Sequence, residues 1–555
     1  MNFEYIIKGL TTDTLRSLSL FSPELCIVAT IVALLLVRLA NADKRFPGSV
    51  VAILGTVTAL GLAAYQFMQF NNADEIGRQF LSPGGHRQVE DAMWTGLLMY
   101  DPFTVFFRIF LLLFLLFVEY LTVVSGIPDQ EDAPDFYVLL LGSTLGMMLM
   151  ASANHLLMVF LAVEMTSVPS YAMVGFLKGR RSSSEAALKY VVYGAGAAGV
   201  MLYGISLLCG LLGTAHLPTL AAHLVAFGQT HSSFTDDAAV RTLVAGVLMV
   251  LVGVAFKLSL FPFHFWCPDA FEGAAAEIGA FLSVASKGAA FALLVRFCLA
   301  LVGDVQAGTS PLSGFYMNIG VGLGIVAAVT TTFGNLAAYT QSNIKRLLAY
   351  STIAHAGYML MAVASMMVVL NASGDNSVTA ATRAAGAAKC IQGLLYYLAV
   401  YFFMNLGAFA VVAVIRNQIF SEEIADYAGL AKQAPALAIC MLVCMFSLIG
   451  MPPFGGFVGK FMVFYSVVEA AKFSPAMWVV LAVGLVNTVF SLFYYLRVLK
   501  VMFIAPLPDT ARPVHVPLFS DAGLYLLLVV APVFGLGIFV DRLSERAHDV
   551  AKWLF

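Results

Sequence analysis

The sequence predicts an all-α polytopic membrane protein of about fourteen transmembrane helices, and three observations predict it. Hydrophobic residues make up 60% of the 555 residues and charged residues only 11%, against roughly a quarter charged in ordinary soluble domains. Mean hydropathy is +0.88. The apolar residues fall in blocks of about 20, the length a helix needs to cross a bilayer. A soluble protein with so much apolar surface would aggregate, so lipid is the solvent this chain is built for.

The blocks lie at 20–40, 48–70, 101–124, 136–153, 155–176, 185–213, 241–262, 275–302, 316–338, 346–370, 387–415, 435–468, 475–503 and 522–540. The first follows a polar amphipathic stretch with no basic start and no cleavage site, so it reads as a retained span and not a signal peptide. The block at 435–468 is too long for one straight crossing. It contains Gly450, Pro452, Pro453, Gly455 and Gly456, which should break the helix. The longest polar stretches, 71–98, 214–240 and 371–386, read as loops, and none is large enough for a soluble enzyme domain.

Basic residues set the orientation. Arg38, Lys44 and Arg45 follow the first span, Lys178, Arg180 and Arg181 the fifth, Lys345 and Arg346 the ninth, and Arg497, Lys500 and Arg512 the thirteenth. All follow odd-numbered spans, which puts those loops in the cytoplasm and both termini outside. The loop at 125–135, with Asp129, Glu131 and Asp132, runs against the pattern, but acidic residues contribute little to the rule.

Net charge is −2, and no basic stripe suggests a nucleic-acid partner. The seven cysteines are scattered without a CxxC pair or a Cys/His cluster, so they read as small packing residues, with no zinc or iron–sulfur site. Gly194-Ala195-Gly196-Ala197-Ala198-Gly199 matches GxGxxG. It lies inside an apolar span without the strand, helix start and acidic ribose ligand that a dinucleotide site requires, so close helix packing explains it better.

Charges inside the spans are the informative exceptions: Arg108, Lys189, Lys257, Lys287, Arg296, Lys460, Glu119 and Glu164, with His155, His264 and His355 in or at the ends of spans. A charge near mid-membrane costs about 2.5–3.5 kcal/mol, so four buried lysines would together cost on the order of 10 kcal/mol if charged and unpaired. The bland reading is snorkelling or static pairing, and it suits Arg108, Glu119 and Arg296. Lysine is different, because a buried lysine can shed its proton whereas arginine keeps it.

Position strengthens the case for the lysines. Lys257 lies five residues before Pro262 and Lys460 seven after Pro453. A proline frees a carbonyl, and broken backbone at membrane depth is tolerated only when buried or lining a wet cavity. Paired interrupted helices are the sequence sign of a transporter built from repeats. Lys287 sits among small residues, Ser283-Val284-Ala285-Ser286-Lys287-Gly288, that let helices approach closely. His355 suits a proton relay near neutral pH, a satisfied core histidine being the alternative. Glu164 has no partner in its own span, and a neighbouring lysine is expected to supply one, Lys257 first and Lys189 second.

Five stretches, EAALKYVVY at 185–193, FKLSLFPFHFWCPDAFEG at 256–273, FLSVASK at 281–287, NIKRLLAYSTIAHAGY at 343–358 and GMPPFGGFVGK at 450–460, resemble the antiporter-like membrane subunits of respiratory complex I. The likeness runs from about residue 100 to 505. Within that family the chain is most similar to the subunit N branch of the bacterial NADH:quinone oxidoreductases, the counterpart of mitochondrial subunit 2. It stops after one further span where subunit L carries a long lateral helix, and it has Lys460 where subunit M has a glutamate. The outer loops at 71–98 and 214–240 look longer than usual for the family.

The resemblance implies fourteen helices, with spans 4–8 and 9–13 as inverted repeats and spans 7 and 12 broken. The division that follows is 1–135, three N-terminal helices; 136–302 and 303–505, the two repeats; and 506–555, the last helix. It also implies roles in proton translocation: Glu164 as acidic partner, Lys257 as central lysine, Lys189 as modulator of that pair, Lys287 and His355 as the bridge, and Lys460 as the terminal lysine. FMN, iron–sulfur clusters and quinone are expected in partner subunits and no cofactor in this chain. The partners implied are subunit M and the small subunits A, J and K, in the bacterial inner membrane. A subunit of a multi-subunit cation/proton antiporter or of a membrane-bound hydrogenase, and a structural scaffold with static pairs, stay open as alternatives.

Overall fold

The computed structural model describes residues 3–40, 46–76, 92–128, 132–177, 179–230, 237–303, 312–372, 379–509, 512–517 and 519–555. Lys44, Arg45, Asp129, Glu131 and Lys178, used above for orientation, lie outside them.

The described chain is almost wholly helical. After α1 (Phe3–Leu20) come α2 (Ser22–Leu39) and α3 (Gly48–Ile76), then a two-residue hairpin in which β1 (Ala92–Met93) pairs antiparallel with β2 (Leu98–Met99). The first broken span and its neighbours follow: α4 (Pro102–Ser125), α5 (Ala133–Ser152), α6 (Leu156–Val174), α7 (Arg181–Leu212), α8 (Leu217–Thr230), α9 (Ala238–Leu258), α10 (Trp266–Gly273) and α11 (Ala276–Val302). The second set is α12 (Ser313–Ala338), α13 (Ile344–Leu370), α14 (Ala380–Ile419), α15 (Leu430–Gln433), α16 (Pro435–Ile449), α17 (Gly455–Ala471) and α18 (Ala476–Phe503). The chain ends in α19 (Asp521–Ile538) and α20 (Val540–Lys552).

Thirteen helices among the described residues are long and apolar enough to cross a membrane. The shorter apolar α16, joined across its break to α17, accounts for the remaining expected span. Helix starts are fixed by side-chain caps that satisfy otherwise free N–H groups. Asp101 accepts from Thr104 N at 2.7 Å, Asp237 from Ala239 N at 2.8 Å, and Asn343 from Lys345 N at 3.0 Å.

Both expected breaks are present. α9 stops at Leu258 because Ser259 turns left-handed (φ 56°), and α16 stops at Gly450 (φ 89°). Glycine suits that second turn because it carries no Cβ. Gly456 then lets α17 pass against α16: a Cβ there would lie 1.9 Å from the Ser447 carbonyl oxygen.

Four sequence expectations need correction. The stretch 71–98 holds the end of α3, to Ile76, and most of the hairpin, and its residues 77–91 lie outside the described ones. The stretch 214–240 is not all loop: Leu217, Leu220 and Leu224, spaced i, i+3, i+7, are buried along one face of α8, which packs on α11. The stretch 371–386 already contains the start of α14, because the alanine-rich segment from Ala380 is a strong helix former capped by Thr379. The chain also continues past its last span into the amphipathic α20. α14 is 40 residues long, about 60 Å at 1.5 Å per residue, twice the thickness of a bilayer core. Its surplus length carries α20, where Gln392 donates to the Ser544 hydroxyl at 2.8 Å.

α11 and α13 form the centre, buried along their whole length. The GxGxxG glycines divide. A Cβ on Gly194 would meet the Tyr171 hydroxyl at 1.9 Å, so α7 packs tightly on α6 there, whereas Gly196 and Gly199 face open space.

Candidate functional site

The broken span brings its lysine to the end of a helix. Lys257 lies in the last turn of α9, where the carbonyl end of the helix favours a cation. The break is clamped from below: Trp266 Nε1 donates to the Phe256 carbonyl at 2.9 Å, and the indole stacks on Tyr190 at 4.2 Å. Lys257 Nζ itself is buried without a hydrogen-bond partner. Lys460 mirrors it across the second break, donating to the carbonyls of Leu448 at 3.0 Å and Ile449 at 2.9 Å, the last residues of α16. It also sits 4.7 Å above the Tyr358 ring. α16 thus aims its carbonyl end at Lys460 across the break, whereas Lys257 sits in the last turn of α9 itself.

Lys287 and His355 lie between them. Lys287 on α11 donates to the Thr352 carbonyl of α13 at 3.0 Å. One turn on, His355 Nδ1 lies 2.6 Å from the Tyr397 hydroxyl and Nε2 3.3 Å from that of Tyr495. Tyr495 in turn hydrogen-bonds Ser351. The charges of Lys287 and Lys460 both act on His355. α9 packs on α11, α11 on α13 and α13 on α17, so Lys257, Lys287, His355 and Lys460 occur on four helices packed in succession. Their relative exposures are 1, 2, 1 and 3%.

The acidic partners fall differently from expectation. Glu164 on α6 is half-buried and interacts electrostatically with Lys257, but no ion pair joins it to either expected lysine among the described residues. Lys189 is drawn away, 2.9 Å from Asp269 and 2.8 Å from Glu185, with 42% of its side chain exposed. Asp269 also holds Arg346 at 2.7 Å, and Arg346 reaches Glu272. The reason is reach: Lys189 lies two turns into α7, level with the α10 end and its carboxylates.

The remaining in-span charges form static structures. Arg108 and Glu24, both fully buried, pair at 2.7 Å, and Gln66 Oε1 and the Leu20 carbonyl take further guanidinium protons. Arg296 binds Asp101 at 2.8 Å, Thr104 and the Ala151 carbonyl. Glu119 accepts from Thr56 at 2.9 Å. His155 caps α6, and His264 stacks on Phe261 and lies against Phe333 within the first break.

Sequence reasoning missed Asp269, Lys345, Tyr397 and Tyr495. Lys345 appeared only as a loop charge, yet it is buried and bound to Glu422 at 2.8 Å and the Ala274 carbonyl at 2.6 Å. Tyrosines in apolar spans carry no signal of their own, and Asp269 was hidden inside a quoted motif.

The transmembrane family described as NADH:quinone oxidoreductase/Mrp antiporter matches residues 153–374 and 377–491. NADH-quinone oxidoreductase subunit N of Anaeromyxobacter sp. (strain Fw109-5) is 38% identical over 540 residues, 95% of each chain. Its namesake in Desulfitobacterium hafniense (strain DSM 10664 / DCB-2) is 36% identical over 97% of this chain and 99% of its own. Among solved structures, a chain of respiratory complex I from Thermus thermophilus superposes with a TM-score of 0.68 at 27% identity, covering 94% of this chain and 98% of that one. A chain of the Mrp complex from Dietzia sp. DQ12-45-1b has the same fold, with a TM-score of 0.69 at 19% identity over 97% of each chain. The chain therefore belongs to the NADH:quinone oxidoreductase/Mrp antiporter family of membrane subunits and, within it, to the proteins called subunit N of NADH-quinone oxidoreductase.

Proposed function

We propose that this chain translocates protons as a membrane-arm subunit of NADH:quinone oxidoreductase, respiratory complex I. The observation that carries the reading is the line of buried protonatable side chains, Lys257, Lys287, His355 and Lys460, on four successively packed helices. The three lysines each cost about 2.5–3.5 kcal/mol if charged at mid-membrane and, unlike the paired arginines, can release their protons on burial.

A proton enters the Lys257 half from the cytoplasm, crosses through Lys287 and His355, and leaves past Lys460. Glu164 supplies the switch. Its approach to Lys257 holds the proton on the amine, and its withdrawal sends the proton on. Lys189, tied to Asp269 and Glu185, biases that switch from the cytoplasmic end. Residues 136–302 and 303–505 act as the two repeats, each contributing one lysine at the carbonyl end of a broken helix. Moving one charge against 100 mV costs about 2.3 kcal/mol, so the energy comes from redox chemistry elsewhere, with FMN, iron–sulfur clusters and quinone held by other subunits. Subunits M, A, J and K are the neighbours this reading calls for. The helix ends carrying Arg38, Lys345 and Arg346 face the cytoplasm of a bacterium and both termini face outward from its inner membrane.

The test is to tag the chain, solubilise gently and measure co-purifying NADH:quinone reductase activity, then to measure protons pumped per NADH with Lys257→Ala. Co-purified activity with lost pumping supports the reading. Partners limited to small membrane proteins without redox activity would transfer the same lysines to a cation/proton antiporter. Normal pumping by the assembled variant would remove Lys257 from the path.

A further inference from the structure

Asn335 is a fully buried amide that the path above does not use. It lies in the last turn of α12 and joins that helix to α13 and α18. Its Oδ1 accepts from the Tyr494 hydroxyl at 3.1 Å. Its Nδ2 shares its protons between the Tyr358 hydroxyl at 3.3 Å and the side-chain and backbone oxygens of Asn487 at 3.3 and 3.2 Å. Asn487 in turn donates to the Thr332 hydroxyl at 2.8 Å, which closes the joint between α12 and α18.

The two tyrosines that Asn335 holds stand against His355 and Lys460. Ser351, His355 and Tyr358 follow at i, i+4 and i+7 on α13 and so share one face. The Tyr358 ring meets the His355 ring edge to face at 5.9 Å, and the Lys460 ammonium sits over the same ring at 4.7 Å. One aromatic ring therefore touches both partners of the last transfer in the line. Tyr494 packs beside Tyr495 with ring centroids 4.3 Å apart, and Tyr495 carries the hydroxyl 3.3 Å from His355 Nε2. A buried polar network whose members are satisfied rigidifies its surroundings and specifies one arrangement of them. Holding both phenol hydroxyls from one amide fixes the far ends of two rings on two helices, and reacting groups displaced by about 1 Å can lose about a hundredfold in rate.

We infer that Asn335 is a positioning residue for the last proton transfer, from His355 to Lys460. By holding Tyr358 and Tyr494 at their hydroxyls it sets where the two groups stand relative to each other. In the step itself the protonated His355 ring gives its proton to the neutral Lys460 amine. The ring returns to neutral imidazole and the amine becomes an ammonium, while Asn335 exchanges no proton. The inference rests on the proton-translocating reading of the Lys287–His355–Lys460 line.

The test uses the intact complex in proteoliposomes. It reads protons pumped per NADH, the solvent deuterium isotope effect on NADH:quinone turnover, assembly and melting temperature. Asn335→Leu keeps the volume and removes both holds; Tyr358→Phe keeps the ring under Lys460 and releases it from Asn335. The expected result for Asn335→Leu is a severalfold loss of pumping per assembled complex. Its isotope effect should exceed the parent's, because the loosened transfer then limits turnover. Tyr358→Phe should show a smaller change in the same direction and add nothing when combined with Asn335→Leu, as for two partners of one contact. A lower melting temperature with pumping and isotope effect at parent values would overturn the inference and leave Asn335 as a core amide that joins three helices. Losses that multiply in the double variant would overturn it too. If Asn335→Leu does not assemble, Tyr358→Phe decides, and parent-like pumping and isotope effect there overturn the inference equally. Lys460→Arg in the same preparation separates the two levels. If that variant pumps normally the translocation reading itself fails, whereas lost pumping there with parent-like values in the Asn335 and Tyr358 variants rejects only the positioning role.

Discussion

Lys460 bridges the break in its own span, its ammonium 2.9 Å from the carbonyl oxygen of Ile449 at the end of the preceding half-helix. One side chain thereby satisfies backbone that the break exposes and holds a transferable proton. The two duties separate by substitution. Lys460→Arg keeps a cation and its donors but does not release a proton. It is expected to assemble normally and to lose pumping, measured as protons per NADH. Lys460→Met also strips hydrogen bonds from a charged donor, worth about 1.5–3 kcal/mol each, and should lower the melting temperature of the complex as well. Normal pumping by Lys460→Arg would make the lysine a structural plug.

His355 is held unequally, 2.6 Å from the Tyr397 hydroxyl and 3.3 Å from that of Tyr495. Tyr397 therefore fixes the ring, and Tyr397→Phe should reduce pumping more than Tyr495→Phe, with both milder than His355→Leu. Each Tyr→Phe removes one hydrogen bond, about 1 kcal/mol, so assembly levels should stay close to those of the parent. The reverse order would place the relay on the Ser351–Tyr495 side.

Lys189 offers a test of coupling from the cytoplasmic end. It is bound to Asp269 and Glu185 and not to Glu164. Asp269→Asn takes one of two carboxylates from each of Lys189 and Arg346, leaving them Glu185 and Glu272. Ion pairs this exposed contribute only about 0–1 kcal/mol, so assembly should be unaffected. Pumping is expected to fall, because a lysine held only by Glu185 competes more readily with Lys257 for Glu164. Unchanged pumping across a range of ionic strength would remove Lys189 from the site.

The membrane class, both broken spans and the in-span lysines were legible because they depend on local signals: apolar block length, proline and glycine at the breaks, and charge where charge is costly. Contacts between distant segments were not. Nothing in the local sequence of Arg108 points to Glu24, 84 positions away, and Tyr397 and Tyr495 look like ordinary apolar-span tyrosines until α13 brings His355 between them. α8 escaped notice because its apolar face is only a few residues long. α20 carries no such signal, because its residues are amphipathic and form no continuous apolar run. Of the two lysines expected beside Glu164, the first choice, Lys257, does interact with it electrostatically, whereas the reach of Lys189 toward α10 takes the second away.

The Arg108–Glu24 pair separates stability from transport. Both side chains are fully buried, and Arg108 is also held by Gln66 and the Leu20 carbonyl. Removing one partner of a buried pair costs about 3–5 kcal/mol, since the other charge is left uncompensated. Glu24→Leu and Arg108→Met should each therefore cut the yield of assembled complex sharply. Replacing both by apolar residues of similar size is often neutral, so the double variant should recover assembly, read by native gel and thermal melting. Because the pair lies outside the Lys257–Lys460 line, pumping per assembled complex should then match the parent. A double variant that assembles but does not pump would show that this outer-end pair carries protons too.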